Sequence, residues 1–316
     1  MMQFIYKTFL LLWGIFGALT AAVAQQLPLA AQHPEYHGLI NPASINHNLM
    51  TDDQNVSIGV SVRQQWVQLG DLSPFTNVLR GEFINRENRL IIGGYINYDK
   101  VGITNNFGVY GRIAYLIPTD GDINESGISI GANIGLGNWR LRTEKLSLSQ
   151  PDDPKLLDKP SSWYPDLGFG AYFYQTLPNK HYFYVGASVP RTFEFRADDR
   201  VAKRYPHYYG LAGYFMPLPW DKTFMEASTW VRYVQNIPMD YSFHLKIQPQ
   251  DWFWFGAGAI TDFKSPSTIV AEMGLNIRYG DNDAVKIGYA KTFNIFANHF
   301  GATHEFNLAW VLDTQR

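Results

Sequence analysis

The chain has no cysteine, which excludes disulfides, thiol chemistry and a lipid-acceptor cysteine. It has no charge bias either. Its 26 Lys and Arg stand against 28 Asp and Glu for a net charge of -2, so no basic footprint points to nucleic acid. Beyond residue 24 there is no apolar run approaching about 18 residues, so no membrane helix is expected there. Helical spacing of apolar residues wins over no useful window. Catalytic signatures are missing as well: there is no G-x-S-x-G, no H-E-x-x-H and no glycine-rich phosphate loop. Histidines 33, 37, 47, 181, 207, 244, 299 and 304 are scattered without metal-ligand spacing. Asp152-Asp153 and Asp198-Asp199 are paired carboxylates in long loops. They read as a calcium or acid–base pair on one view and as solvated loop on the other, and the second is favoured because short motifs are weak. No enzyme, metal or cofactor is expected.

What is present is aromatic and finely interleaved. Phe, Trp and Tyr make up 16% of the chain and charged residues only 17%. Mean hydropathy is nevertheless -0.19, so apolar and polar residues must alternate rather than form blocks. One block does occur. Residues 1–24 join one Lys to the apolar stretch "TFLLLWGIFGALTAA" and a small-x-small site, the pattern of a cleaved secretory signal peptide.

From residue 55 onward short segments of period two follow one another, the spacing of half-exposed strands. In "VSIGVSVRQQW", Val56, Ile58, Val60, Val62 and Trp66 face one way, and Ser57, Gly59, Ser61, Arg63 and Gln65 the other. Strands are expected near 55–66, 76–86, 90–99, 106–117, 126–140, 164–176 and 180–190. Further ones are expected near 205–216, 223–234, 238–248, 251–261, 267–279, 283–293 and 303–312. That makes about 14, an even number. Even-numbered turns such as "ENR", "LPN" and "GDN" are short, whereas most odd-numbered connections, among them "VGITNN" and the loops 141–163 and 191–204, are longer, the brief break near Asn236 being the exception. Sorting of loop length by parity marks a transmembrane antiparallel up-and-down β-barrel, with short periplasmic turns and longer extracellular loops. A soluble sandwich has no reason to sort its loops this way. The polar face is rich in Gly, Ser, Thr and Asn, which suits a confined interior. Trp66, Trp139, Trp163, Tyr164, Trp220, Trp252, Trp254 and Trp310 concentrate at strand ends, as an interfacial girdle would.

Alternation also sorts the charges. Arg63, Gln65, Arg112, Glu226, Arg232, Glu272, Arg278 and Glu305 point to the lumen side, with Lys246, Lys286, Trp230, Tyr172 and Tyr174. They read either as a conduction path or as an ion-pair network that fills the barrel, and the mixture of signs favours the network. Residues 25–54 precede the 55–316 barrel and are too polar and Pro-marked to be a strand. They read as a periplasmic or plug segment around Asn41, Pro42 and Ala43, or else as an unstructured leader.

Several stretches in collinear order resemble one family: "LINPASIN", "SIGVSVRQQWVQL", "PDLGFGAYFYQ", "HYFYVGASVPRTFEF", "WFWFGAGAI" and "VKIGYAKTF". It is the PorP/SprF family of outer-membrane proteins, part of the type IX secretion system of Bacteroidetes. The resemblance implies a non-enzymatic role in protein secretion, and in gliding motility in gliding species. The implied partners are the periplasmic ring lipoprotein and its partner, an OmpA-like peptidoglycan-binding protein, and a secreted adhesin or its C-terminal domain. The setting is outer-membrane lipid and lipopolysaccharide, with both termini periplasmic. Candidate contact surfaces are Asn41, Pro42 and Ala43 in the N-terminal segment, and the outer loops with Asp152, Asp153, Lys155, Arg191, Arg200, Lys203 and Arg204. The alternative from another class is a diffusion channel or transporter for a small solute.

Overall fold

The structure is a computed structural model of the whole chain. It describes residues 32–45, 54–119, 121–142, 161–192, 195–198, 202–263, 268–279, 283–294 and 301–313. The expected signal peptide and residues 25–31 lie outside these.

Alternating residues build alternating walls, and the walls close on themselves. The strands are β1 (Gln54–Gln64), β2 (Phe75–Asn85), β3 (Leu90–Val101), β4 (Thr104–Pro118), β5 (Ser126–Leu141), β6 (Ser161–Leu177) and β7 (His181–Arg191). A hairpin of β8 (Phe195–Asp198) and β9 (Ala202–Arg204) follows. Then come β10 (His207–Pro217), β11 (Phe224–Val234), β12 (Asp240–Gln248), β13 (Phe253–Thr261), β14 (Thr268–Tyr279), β15 (Asp283–Asn294) and β16 (Thr303–Asp313). All but β8 and β9 form one closed antiparallel barrel of 14 strands, in which each strand pairs with its sequence neighbours. Closure is made by β1 on β16, with Asn55 opposite Asp313 and Arg63 opposite Glu305. The shortest barrel strands, β12 and β13, have 9 residues, enough for a tilted strand to cross a hydrocarbon core. Closure leaves no unpaired sheet edge, the condition for a β structure in lipid.

The expected strands are all present. Two connections differ from expectation. "VGITNN" is not a loop: β3 and β4 run on to a turn at 102–103, where Gly102 adopts a φ of 56°. The expected 191–204 loop carries the β8–β9 hairpin, whose strands are too short to show periodicity. The sorting of loops otherwise holds except at 235–239, which is shorter than 119–125 and 218–223 at the opposite end. One end has turns 86–89, 178–180, 249–252 and 280–282, and the other has 65–74, 142–160, 192–206 and 295–302.

Burial follows the pleat. In β1, Asn55, Ser57, Ser61 and Arg63 are buried, while Ile58 is 46% exposed. On β5, Ile128, Ile130, Ile134 and Leu136 face out, and Ser129, Gly131 and Asn133 face in. The core is therefore the lumen, with the apolar surface outside. Stacked Tyr95–Tyr110 (4.7 Å) and Tyr172–Tyr184 (5.6 Å) pairs fill the interior, together with buried Tyr174 and Trp230. The girdle expectation holds for Trp66, Trp163, Trp220, Trp252 and Trp310, which are exposed. It fails for three rings. Trp139 and Tyr164 are buried inside, and Trp254 lines an interior cavity, because their strand parity points inward.

Candidate functional site

The lumen is occupied by the chain's own N-terminal segment. Helix α1 (His33–Ile40) begins with Pro34 in its first turn and Glu35 near its positive end, both favourable there. It stops because Pro42 follows Asn41. The residue before a proline avoids the helical region, and Asn41 is extended, at φ -135° and ψ 108°. Asn41 then makes a local turn: its Oδ1 accepts from the Ala43 N–H at 2.9 Å, and its C=O accepts from the Ser44 N–H at 3.0 Å.

This segment is bonded to opposite sides of the wall. At its start, the Gln32 N–H donates to Glu305 Oε1 at 3.0 Å. The carboxylate of Glu35 pairs with Arg80 of β2. The hydroxyl of Ser188 donates to the Ile40 carbonyl at 2.5 Å. Asn41 Nδ2 donates to the Ala171 carbonyl of β6 at 3.0 Å. Arg112 of β4 donates to the carbonyls of Pro42 and Ser44, each at 3.0 Å, and also binds Glu82. His37 packs its ring against Tyr184 and Trp230. Burial, reinforced by the positive charges of Lys246 and Arg112, pushes its imidazole down to about 3, so it is neutral at ordinary pH.

Glycine makes room for this. A Cβ on Gly131 would lie 2.5 Å from the Pro42 carbonyl oxygen, and one on Gly170 would collide with Asn41 Oδ1. The wall has been cut back to backbone where the segment crosses it. Two cavities remain beside α1, of about 30 and 20 Å³. Each is large enough for about one or two waters.

Much of the remaining charge in the interior is paired. Arg63 binds Glu305 at 2.7 Å, Lys246 binds Glu226 at 2.5 Å, and His244 lies 3.4 Å from Glu272. Arg232 binds Asp240. Of the residues expected in the lumen, Arg63, Arg112, Glu226, Arg232, Glu272 and Glu305 are all buried. Gln65 follows the last residue of β1, half-buried, and its backbone N–H bonds to the Pro74 carbonyl. Arg278 shares the inward parity but stands at the mouth near the end of β14, exposed. Arg80, Glu82 and His244 are within reach of the same alternation. Glu35 is not, because nothing in a segment without a strand period says what it faces.

Asn41, Pro42 and Ala43 were expected to meet a partner, but they are buried and taken up by the barrel wall. Arg191 was expected in an outer loop, yet it ends β7 and is 2% exposed. Asp152, Asp153, Lys155 and Arg200 lie outside the described residues. Lys203 and Arg204 stand in β9. Among the described residues no cluster of His, Asp and Glu is arranged to hold a metal ion.

Fold and interior define an integral outer-membrane β-barrel whose lumen is filled by its own N-terminal segment. Solved structures similar in fold are barrels of this kind. They include the CymD monoaromatic hydrocarbon channel (TM-score 0.58, 11% identity, covering 93% of this chain and 95% of that one). The toluene transporter TbuX of Ralstonia pickettii is similar too (TM-score 0.52, 11% identity, 92% and 95%). So is a FadL homologue of Pseudomonas aeruginosa (TM-score 0.50, 10% identity, 93% and 95%). At such identities the likeness is one of fold alone. No curated protein sequence matches the chain. The chain belongs to the PorP/SprF family of type IX secretion system membrane proteins, which it matches over residues 22–310.

Proposed function

We propose that this protein is a non-enzymatic docking accessory of type IX secretion. In this reading the long-loop end faces outward and both termini lie in the periplasm. The N-terminal segment ahead of the barrel is the candidate contact for the periplasmic ring lipoprotein and its partner, or the OmpA-like peptidoglycan-binding protein. The long loops 142–160 and 192–206 hold a secreted adhesin or its C-terminal domain at the cell surface, a gliding adhesin in gliding species.

One observation carries the preference for docking over conduction. Residues 32–45 cross the lumen and are bonded to β2, β4, β6, β7 and β16. A solute path would have to displace this segment and break a buried polar network. The channel alternative is supported by the fold likeness to channels, which does not extend to their bound solutes.

The test is gentle detergent purification followed by mass spectrometry of co-purifying proteins, with conductance of the same preparation in planar bilayers. Ring components without steady conductance fit docking. Steady conductance with no secretion components replaces docking by the channel. Deleting residues 145–160 should leave the barrel in the membrane and abolish surface retention of one adhesin. Unchanged retention of every adhesin would remove the loops' role.

A further inference from the structure

The wall is not cut off evenly at the long-loop end. Strands β4, β5 and β6 have 15, 16 and 17 residues, against 9 to 12 in the other barrel strands. β6 pairs with β5 from Gln175 as far as Ser161, but with β7 only from Leu177 to Phe169. Residues 161–168 therefore project past β7, over about 26 Å of strand. They form the last strand of a tongue built from β4, β5 and β6. The tongue's other side is closed, since Thr104 of β4 pairs with Val101 of β3. Its outward positions are polar: Asn138, Arg140 and Ser161 continue the parity of Ile130, Ile134 and Leu136. The tongue thus stands in water beyond the apolar band.

Alternation decides which backbone groups the free edge of β6 offers. The Leu167 carbonyl points towards β7 and accepts from the Thr192 N–H at 2.9 Å. The Leu167 N–H donates to Asp166 Oδ1 at 3.2 Å. Every second residue of a strand points its main-chain groups the same way, so Pro165, Trp163 and Ser161 direct theirs along this edge. Pro165 supplies a carbonyl and no N–H, which an edge tolerates. Among the described residues nothing bonds to the carbonyls of Ser161, Trp163 and Pro165, or to the N–H groups of Ser161 and Trp163, on this side. The side chains of these three residues are exposed. β8 lies beside β6 but forms its ladder with β9. Closure of the barrel is made by β1 on β16 and does not need the overhang. An idle open edge is a liability that proteins ordinarily shorten or cover.

We propose that this edge docks an extended strand of the secreted protein by main-chain pairing. Two donors and three acceptors of β6 complete a ladder with it. The proposal rests on the docking reading and deepens it: the adhesin held at the long-loop end contributes a strand, recognised through its backbone.

The test uses the full-length protein in cells. Trp163→Pro removes an edge N–H and leaves the ladder to β5 intact, whereas Trp163→Val keeps that N–H. Trp163→Pro should lower surface retention of one adhesin about tenfold, as a lost main-chain bond and an obstructing ring would. Trp163→Val should retain it as wild type does. Full retention by Trp163→Pro, or equal loss by Trp163→Val, would overturn the edge. If Trp163→Pro loses the heat-modifiable gel mobility of a folded barrel, Ser161→Pro removes the other edge N–H and carries the same expectation. In hydrogen exchange on the purified barrel, the Ser161 and Trp163 amides should exchange as fast as open chain. Protection of both would mean that the chain's own hairpin fills the edge, and would overturn the proposal. A disulfide-linked dimer of Ser161→Cys would assign the edge to a second copy and overturn it too. Loss of retention on deleting residues 145–160, with full retention by Trp163→Pro, would overturn the edge alone. Full retention by both would overturn the docking reading itself.

Discussion

The two faces of β5 meet different neighbours. Outward, Ile128, Ile130 and Ile134 meet fluid chains that adapt to any aliphatic shape. Inward, Ser129, Gly131 and Asn133 are buried in a packed interior, and Gly131 lies against the Pro42 carbonyl. The outer face needs only composition. The inner face needs complementarity to a particular segment, residue by residue. Substitutions should therefore fall into two regimes, polarity outside and shape and pairing inside.

The largest expected break is inside. Arg112→Met strands Glu82 and leaves the Pro42 and Ser44 carbonyls without their donor. Removing one partner of a buried ion pair costs roughly 3–5 kcal/mol. The midpoint of urea unfolding of the refolded barrel should drop accordingly, and protease should cut near Pro42 before the barrel unfolds. An unchanged cleavage pattern would mean that Arg112 does not hold the segment.

Ile130→Arg breaks the outer face by charge. Its cost is roughly 2–4 kcal/mol at the midplane and less near an interface, read as reduced folded yield in membranes. Ser129→Arg is no lumen control for it, because Ser129 is fully buried opposite Tyr172 and has no room for the side chain. Ile130→Leu is the proper control and should fold in normal yield.

Acid should loosen the segment. His37 is held neutral in the folded barrel, so protonation is easier once the segment leaves. Stability is then full above the ordinary imidazole value near 6.5 and falls with pH below it, by about 2 kcal/mol near pH 5. Protease sensitivity near Pro42 should rise between pH 7 and 5 in wild type, and His37→Gln should flatten that rise.

Asn41→Ala removes the bond to Ala171 and the local turn bond to Ala43, for about 1–2 kcal/mol. The outer face gives the smallest effect. Ile130→Val should change stability by less than about 1 kcal/mol, because lipid fills the missing methylene and leaves no cavity. A loss there as large as that of Asn41→Ala would show that the outer face is packed against something more ordered than lipid.

The sequence by itself determined the barrel. A period of two runs through every expected strand, and a one-residue slip would turn all of its apolar side chains inward, so face and register follow from the pattern. Arg63, Arg112, Glu226, Glu272 and Glu305 were legible as inward charges for the same reason, as was the likeness to PorP/SprF from ordered short stretches. Their pairings were not, since Arg63 and Glu305 are brought together only by closure of β1 on β16. Only the tertiary structure decided what the lumen contains. Asn-Pro-Ala read as a turn and is one, but its burial depends on glycines at 131 and 170, far along the chain, whose missing side chains make the space. Local sequence encodes φ and ψ and the alternation of faces. The fit of one segment inside a closed wall arises from many distant residues at once, and no local pattern carries it.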